Sequence, residues 1–590
     1  MDVSRRALVC NVQHGARAQE AGKQQVAGAK RGVQAESEES QAPQKRSANQ
    51  LRSFSDPTFV TPVHRPVTES TVVADSAEAA RVKELVAAIR GEAANLPDAG
   101  VLRAVAGMRQ LLAAQTFPPI REVIESGGVE ALVQRLSDGT PVVKLEAAWA
   151  LTNIAASDEH TEAVVERGAV EALVATLTSD AVVQRAELAA QCLWALGNIV
   201  SDGTVVLRNR LLATRTIEAV GQLFSAIPSF TWDYRSRMEV LQKLTWVMSG
   251  LCRGQPPPPL AEVACAFDYF AQVLVGSDDE EMCSDALWGT CYLLEASEMA
   301  GDAAERGKRF LGAGFEGTEV VPTPHPVLKQ ITRYAKWTSD SDHVLPVPAL
   351  RLLGALVSMP CHDLTDAALA AGAVKAFSDV VLDSRAPVQV RCEAAWALSN
   401  IAAGKADHAQ HLVGVSGVWD ALCYVVERSS HPEVCRECAW VVTNVVKRGS
   451  VILRDLDCKK VLRVTSFAMQ VSAEPALTCA LLDAVDALMH HGTELIGTKG
   501  ENPLVGYAKR LGLLDQVVQL LTADSANVRQ KSSCLHCTWF KSGDKENAPR
   551  DKENAPLRQV NTPISARISS SMKLSSTILG GAGFAAGERT

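Results

Sequence analysis

Two twelve-residue stretches, EAAWALTNIAAS at 146–157 and EAAWALSNIAAG at 393–404, set a tryptophan four residues before an asparagine and three after a glutamate. On a helix, at about 100° per residue, Glu146, Trp149 and Asn153 share a sector of about 60°, while Ala147, Leu151 and Ile154 gather on the other side. The aliphatic stripe supplies a core. The second stripe carries groups with other uses: a carboxamide offers both a donor and an acceptor to the N–H and C=O of an extended peptide. An indole beside an acid suits a long aliphatic stem ending in a cation, with a gain of roughly 0.5–2 kcal/mol. Were this stripe buried instead, each unpaired amide would cost about 1–3 kcal/mol. The pattern therefore predicts an outward-facing surface for extended basic peptides.

The elements that would hold such a surface recur. Aligning EAAWALTN, AQCLWALGN, QKLTWVMSG, SDALWGTCY, PALRLLGA, EAAWALSN and ECAWVVTN puts Trp149, Trp194, Trp246, Trp288, Arg351, Trp396 and Trp440 in one column, at steps of 45, 52, 42, 63, 45 and 44 residues. Most steps fit the period of about 40–47 residues of two- or three-helix solenoid units. Segments such as ERGAVEALVATL at 166 and AAGAVKAFSDVV at 370 place a glycine between the end of one helix and the apolar face of the next. The long step contains GDAAERGKRFLGAGFEGTEVVPTPHP, which reads as an insertion in a surface loop. Stacked units would turn the Trp and Asn columns into parallel ladders.

Composition agrees with an all-α chain. Apolar residues make up 47% of the 590 residues but aromatics only 5%, and Ala, Leu and Val recur at helical spacing. A net charge of −8 gives no basic footprint for direct nucleic-acid binding, whereas an acidic surface can receive a basic partner. The 15 cysteines are scattered singly, as reduced and mostly buried thiols would be. MDVSRRALVCNVQHGARAQ breaks any apolar run early, and no stretch is long enough for membrane insertion, so a soluble intracellular protein is expected. Residues 1–75 and 536–590 are polar without periodicity and are expected to be disordered, leaving 76–535 as the repeat domain.

PPI at 118–120, WALTNIA at 149–155, WALGNIVSDGT at 194–204, LTWVMSGLCRGQPPPP at 244–259, PALR at 348–351, WALSNIAAG at 396–404 and WVVTN at 440–444 follow one another in an order that resembles the importin alpha (karyopherin alpha) family. The resemblance implies a superhelical solenoid of about ten armadillo repeats. It implies an adaptor, without enzymatic activity or cofactor, that binds nuclear localisation signals of cargo proteins and links them to importin beta while shuttling between cytoplasm and nucleus. It places the major site at Trp149, Asn153, Thr161, Gln191, Trp194, Asn198, Asp202 and Trp246, with Asp202 pairing the critical lysine of the signal. The minor site would comprise Tyr292, Arg351, Glu393, Trp396, Asn400, Glu437, Trp440 and Asn444. Segment 513–531 resembles the family's surface for the export factor that recycles the adaptor.

The chain departs from the family in places. Gly250 and Ala355 stand where an asparagine is expected, and the segment after Asn153 is one residue short. Family members begin with a dense basic helix for importin beta; here Arg5, Arg6, Lys30, Arg31, Lys45 and Arg46 are spread as pairs, a degenerate form of that region. A scaffold for other extended ligands, without import coupling, is the alternative this thinning favours.

Smaller motifs add little. Lys545-Glu546-Asn547 and Lys552-Glu553-Asn554 resemble KEN-type degrons, and Thr562-Pro563 suits a proline-directed kinase. Cys534 and Cys537 in CLHC have half the spacing of a zinc site, but no second pair follows, so free thiols and no metal are expected.

Overall fold

A computed structural model describes residues 76–92, 98–114, 118–157, 159–201, 203–295, 302–312, 325–337, 345–496 and 502–540. Among these every regular element is helical. The chain divides into two compact units, Met1–Leu422 and Cys423–Thr590.

In the first unit a three-helix pattern recurs. A short helix such as Thr161–Glu166 leads into a second, Ala169–Leu177, and then a longer third, Ala186–Ser201. The first joint turns on a residue in the left-handed region, Gly168 at φ 80°. This conformation costs a residue with a Cβ about 1–2 kcal/mol, which explains the glycine. Arg215 holds the same place before helix Thr216–Ala226 at φ 58°, so one joint keeps the geometry without the glycine.

The longer helices are labelled here α1 (Asp98–Ala114), α2 (Pro141–Ala155), α3 (Ala186–Ser201), α4 (Tyr234–Cys252), α5 (Glu280–Glu295), α6 (Pro346–Ser358) and α7 (Val388–Ala402), and from α2 onward they carry the Trp column. Each stacks on the next, α1 on α2 through α6 on α7, so corresponding residues of successive repeats become neighbours. Leu151 and Ile154 of α2 and Leu193 and Leu196 of α3 are fully buried, as the aliphatic stripe requires. Small residues allow close stacking: a Cβ on Gly197 would lie 2.0 Å from the Trp246 ring, so the indole rests directly on the α3 backbone. Gly250 is similarly filled, with the Val200 side chain 2.6 Å from where its Cβ would stand; an asparagine there would have to displace Val200.

One expectation is overturned. Part of the segment read as a loop insertion is the first helix of its repeat, Ala303–Leu311, with Phe310 only 1% exposed and the buried Arg306 donating through Nη1 to the Leu293 carbonyl at 3.2 Å. The sequence AAERGKRFL is too charged to look buried, but Phe310, Leu311 and the Arg306 guanidinium turn inward together, the charge tied to Asp302 at 3.0 Å. Residues 313–324 of the same stretch lie outside the described residues.

The second unit contains α8 (Pro432–Val446), Cys458–Val471, α9 (Pro475–Ile496), Pro503–Arg510, Leu513–Leu520 and α10 (Ala526–Leu535). Asp483 of α9 ties Lys447 at 3.2 Å to Lys531 at 2.5 Å, and Trp539 donates to Asp486 at 2.6 Å. Among the described residues no helix is long and apolar enough to cross a membrane. Residues 1–75 and 541–590, with the basic pairs, both KEN-like motifs and Thr562, lie outside the described residues.

Candidate peptide-binding face

The face begins on α2. Trp149 is 38% exposed, a large value for an indole in a packed helix. The Arg109 guanidinium of α1 sits 4.4 Å from its ring centroid and forms an ion pair with Glu146 at 2.5 Å. The Trp149 indole and Glu146 thus already cradle a cation, this chain's own, in the arrangement expected for a basic ligand. Asn153 donates to the Arg109 carbonyl at 3.5 Å.

On α3 the polar groups are committed to the preceding helix. Gln191 donates to the Thr152 hydroxyl at 2.7 Å, and Asn198 donates to the Thr152 carbonyl at 3.2 Å. Asn400 of α7, fully buried, donates to the Ser358 hydroxyl of α6 at 2.8 Å. Contrary to expectation, a buried asparagine beside a tryptophan does not go unpaired: the solenoid supplies its partner from the adjacent repeat. These carboxamides fasten one repeat to the next.

Trp194 and Trp246 are half-buried. The Lys243 ammonium of α4 lies 5.3 Å from the Trp194 ring centroid and 3.0 Å from Glu239. On α5, Trp288 and Tyr292 stack with ring centroids 6.1 Å apart and planes 23° apart. Burial pushes the Asp285 carboxyl up to about 8, with Glu281 and Asp279 adding to the shift.

The later positions are more enclosed. Arg351 of α6 is bracketed by Glu295 at 2.5 Å and Glu393 at 3.0 Å; burial alone would lower its pKa, but the two carboxylates outweigh that and raise it. Trp396 is 5% exposed and its Nε1 has no hydrogen-bond partner. In the second unit Trp440 is 6% exposed, with Glu437 and Asn444 also buried and Arg436 3.3 Å from Glu437. The expectation that these indoles stand open to solvent is therefore corrected. At Trp396 the reason is local: Gly354 presents no side chain, and the ring settles against it, 3.3 Å from where a Cβ would be.

Of the remaining residues assigned from sequence, Thr161 is 1% exposed and its hydroxyl donates to the Ser157 carbonyl at 3.0 Å, while Asp202 lies outside the described residues. Sequence reasoning missed Arg109 and Lys243. Lys243 was findable, because it stands three residues before Trp246 in the column of Glu146, Gln191, Asp285, Glu393 and Glu437. Arg109 was not, since α1 carries no tryptophan to fix its register. Cys534 in the last turn of α10 and Cys537 just beyond it are both exposed.

Comparison with known proteins bears on this arrangement. A family model described as Armadillo/beta-catenin-like repeat matches residues 116–156 and 157–201. The chain carries armadillo repeats, and its sequence is similar to importin alpha subunits. It is 32% identical to importin subunit alpha-6 of Arabidopsis thaliana over 37% of each chain. It is 28% identical to importin subunit alpha-1a of Oryza sativa subsp. japonica over 53% of each, and 37% identical to importin subunit alpha-5 of Arabidopsis thaliana over 32% of this chain and 34% of that one. The matched part thus spans about a third to a half of these relatives' length. The crystal structure of an engineered protein superposes with a TM-score of 0.57 at 20% identity, covering 77% of this chain and 97% of the other. The fold is an all-α, armadillo-like helical solenoid.

Proposed function

We propose that this chain is a nuclear import adaptor that binds basic localisation-signal peptides of cargo proteins along the stripe from Trp149 to Trp246. The exposed Trp149 indole, paired with Glu146 over a guanidinium, carries the reading: it is a cation slot on a helix stack whose sequence is similar to importin alpha subunits. In this reading Asp202 pairs the principal ligand lysine, and a second segment of a longer signal reaches the positions from Tyr292 to Asn444. The chain works by binding alone, without catalysis or cofactor. It hands cargo to importin beta through residues 1–75, returns by an export factor contacting 513–531, and shuttles between cytoplasm and nucleus.

The test is a titration of the full chain with a lysine-rich localisation-signal peptide. Binding at micromolar or tighter affinity that is strongly weakened by Asp202→Lys supports the assignment; equal binding by wild type and variant removes the lysine slot. A second reading, an armadillo scaffold for other extended ligands, draws on the buried Trp396 and Trp440 and on the resident cations Arg109 and Lys243. Capture of importin beta by the full chain separates the two, since the scaffold does not retain it.

A further inference from the structure

Successive repeats place one side chain three residues before each member of the Trp column, and these side chains share the face of the indoles. The column runs Glu146, Gln191, Lys243, Asp285, Pro348, Glu393 and Glu437. Six members are acidic or uncharged. Lys243 alone is cationic, and it leans back over Trp194 of the preceding helix at 5.3 Å.

Its setting differs from that of the other resident cation. Arg109 is held against Glu146 at 2.5 Å, with both side chains less than 20% exposed, so its charge is neutralised where it stands. The partner of Lys243 is Glu239, 53% exposed and one helical turn away on the same helix, a pairing that holds a side chain only weakly. Glu239 can turn into solvent at little cost, leaving the ammonium, itself 16% exposed, at the Trp194 ring.

We propose that Lys243 is a specificity-determining residue that fills the Trp194 slot from within and favours, at that register, a ligand residue bearing a carboxylate over one bearing a cation. The inference rests on the peptide-binding reading above. A ligand lysine entering there meets an ammonium already on the indole and must displace it against like-charge repulsion. A ligand aspartate or glutamate meets a counter-ion in place. The preferred ligand is therefore a basic peptide interrupted by an acidic residue at one register.

The experiment is calorimetric titration of a lysine-rich peptide and its single Lys-to-Glu replacements into the full-length wild type, Lys243→Gln and Lys243→Arg. At one register, the loss of affinity on replacement is expected to be about tenfold smaller for wild type than for Lys243→Gln, with Lys243→Arg behaving as wild type. Equal melting temperatures of the three proteins establish that the scans compare folded chains. Superimposable scans on wild type and Lys243→Gln overturn the specificity role while leaving peptide binding intact. Failure of every peptide on all three proteins overturns the peptide-binding reading and the proposal with it.

Discussion

At the scale of residues, the candidate face is set by how closely an indole can approach its neighbour. Trp246 lies against Gly197, where a Cβ would be 2.0 Å from ring carbon. Gly197→Ala should therefore push the indole off α3 and lower stability by about 1–3 kcal/mol, measurable by chemical denaturation; an unchanged midpoint contradicts the packing. A second outcome concerns Asp285. Its carboxyl titrates near 8, above its ordinary 3.8, so the folded protein retains a proton that the unfolded chain releases. The stabilising contribution is full below about pH 4 and is lost as pH rises through about 8. Across that window the melting temperature of wild type should fall relative to that of Asp285→Asn; parallel curves would show that Asp285 is not so enclosed.

At the scale of elements, the three-helix repeat was legible because glycines and aliphatic periodicity mark its joints and buried faces. Gly168 and Gly372 stand where a left-handed residue is needed, and both are visible in sequence. Arg215 hid one joint by taking that conformation without being glycine. Arg215→Gly should raise stability by about 0.5–1 kcal/mol, the relief of the left-handed strain less the added chain entropy. A loss of stability on denaturation would instead show that the Arg215–Glu218 pair at 3.3 Å matters more than the backbone. Helix Ala303–Leu311 was hidden differently, its few apolar side chains diluted by cations that the fold pairs or leaves at the surface. The Trp column was legible from spacing, but its exposure was not. How far each indole sinks depends on the neighbouring repeat, as Gly354 does for Trp396.

At the scale of the whole molecule, the account joins an acidic chain of net charge −8 to a basic ligand. Peptide affinity should therefore fall as salt rises, with the association rate falling more than the dissociation rate rises. Stopped-flow measurements across ionic strength check this, and a salt-independent association rate contradicts it. The proposed ligand class rests on Trp, Asn and acid recurring together in the sequence. The sequence did not reveal that Asn198 and Asn400 are engaged between repeats, because their partners, Thr152 and Ser358, lie 46 and 42 residues away. The most direct test of the central claim is titration of a lysine-rich peptide into the full-length wild type and Trp149→Ala. Loss of the exposed indole should weaken binding by about tenfold without changing the melting temperature. Indistinguishable affinities would contradict the claim that the Trp149 face grips cationic peptides.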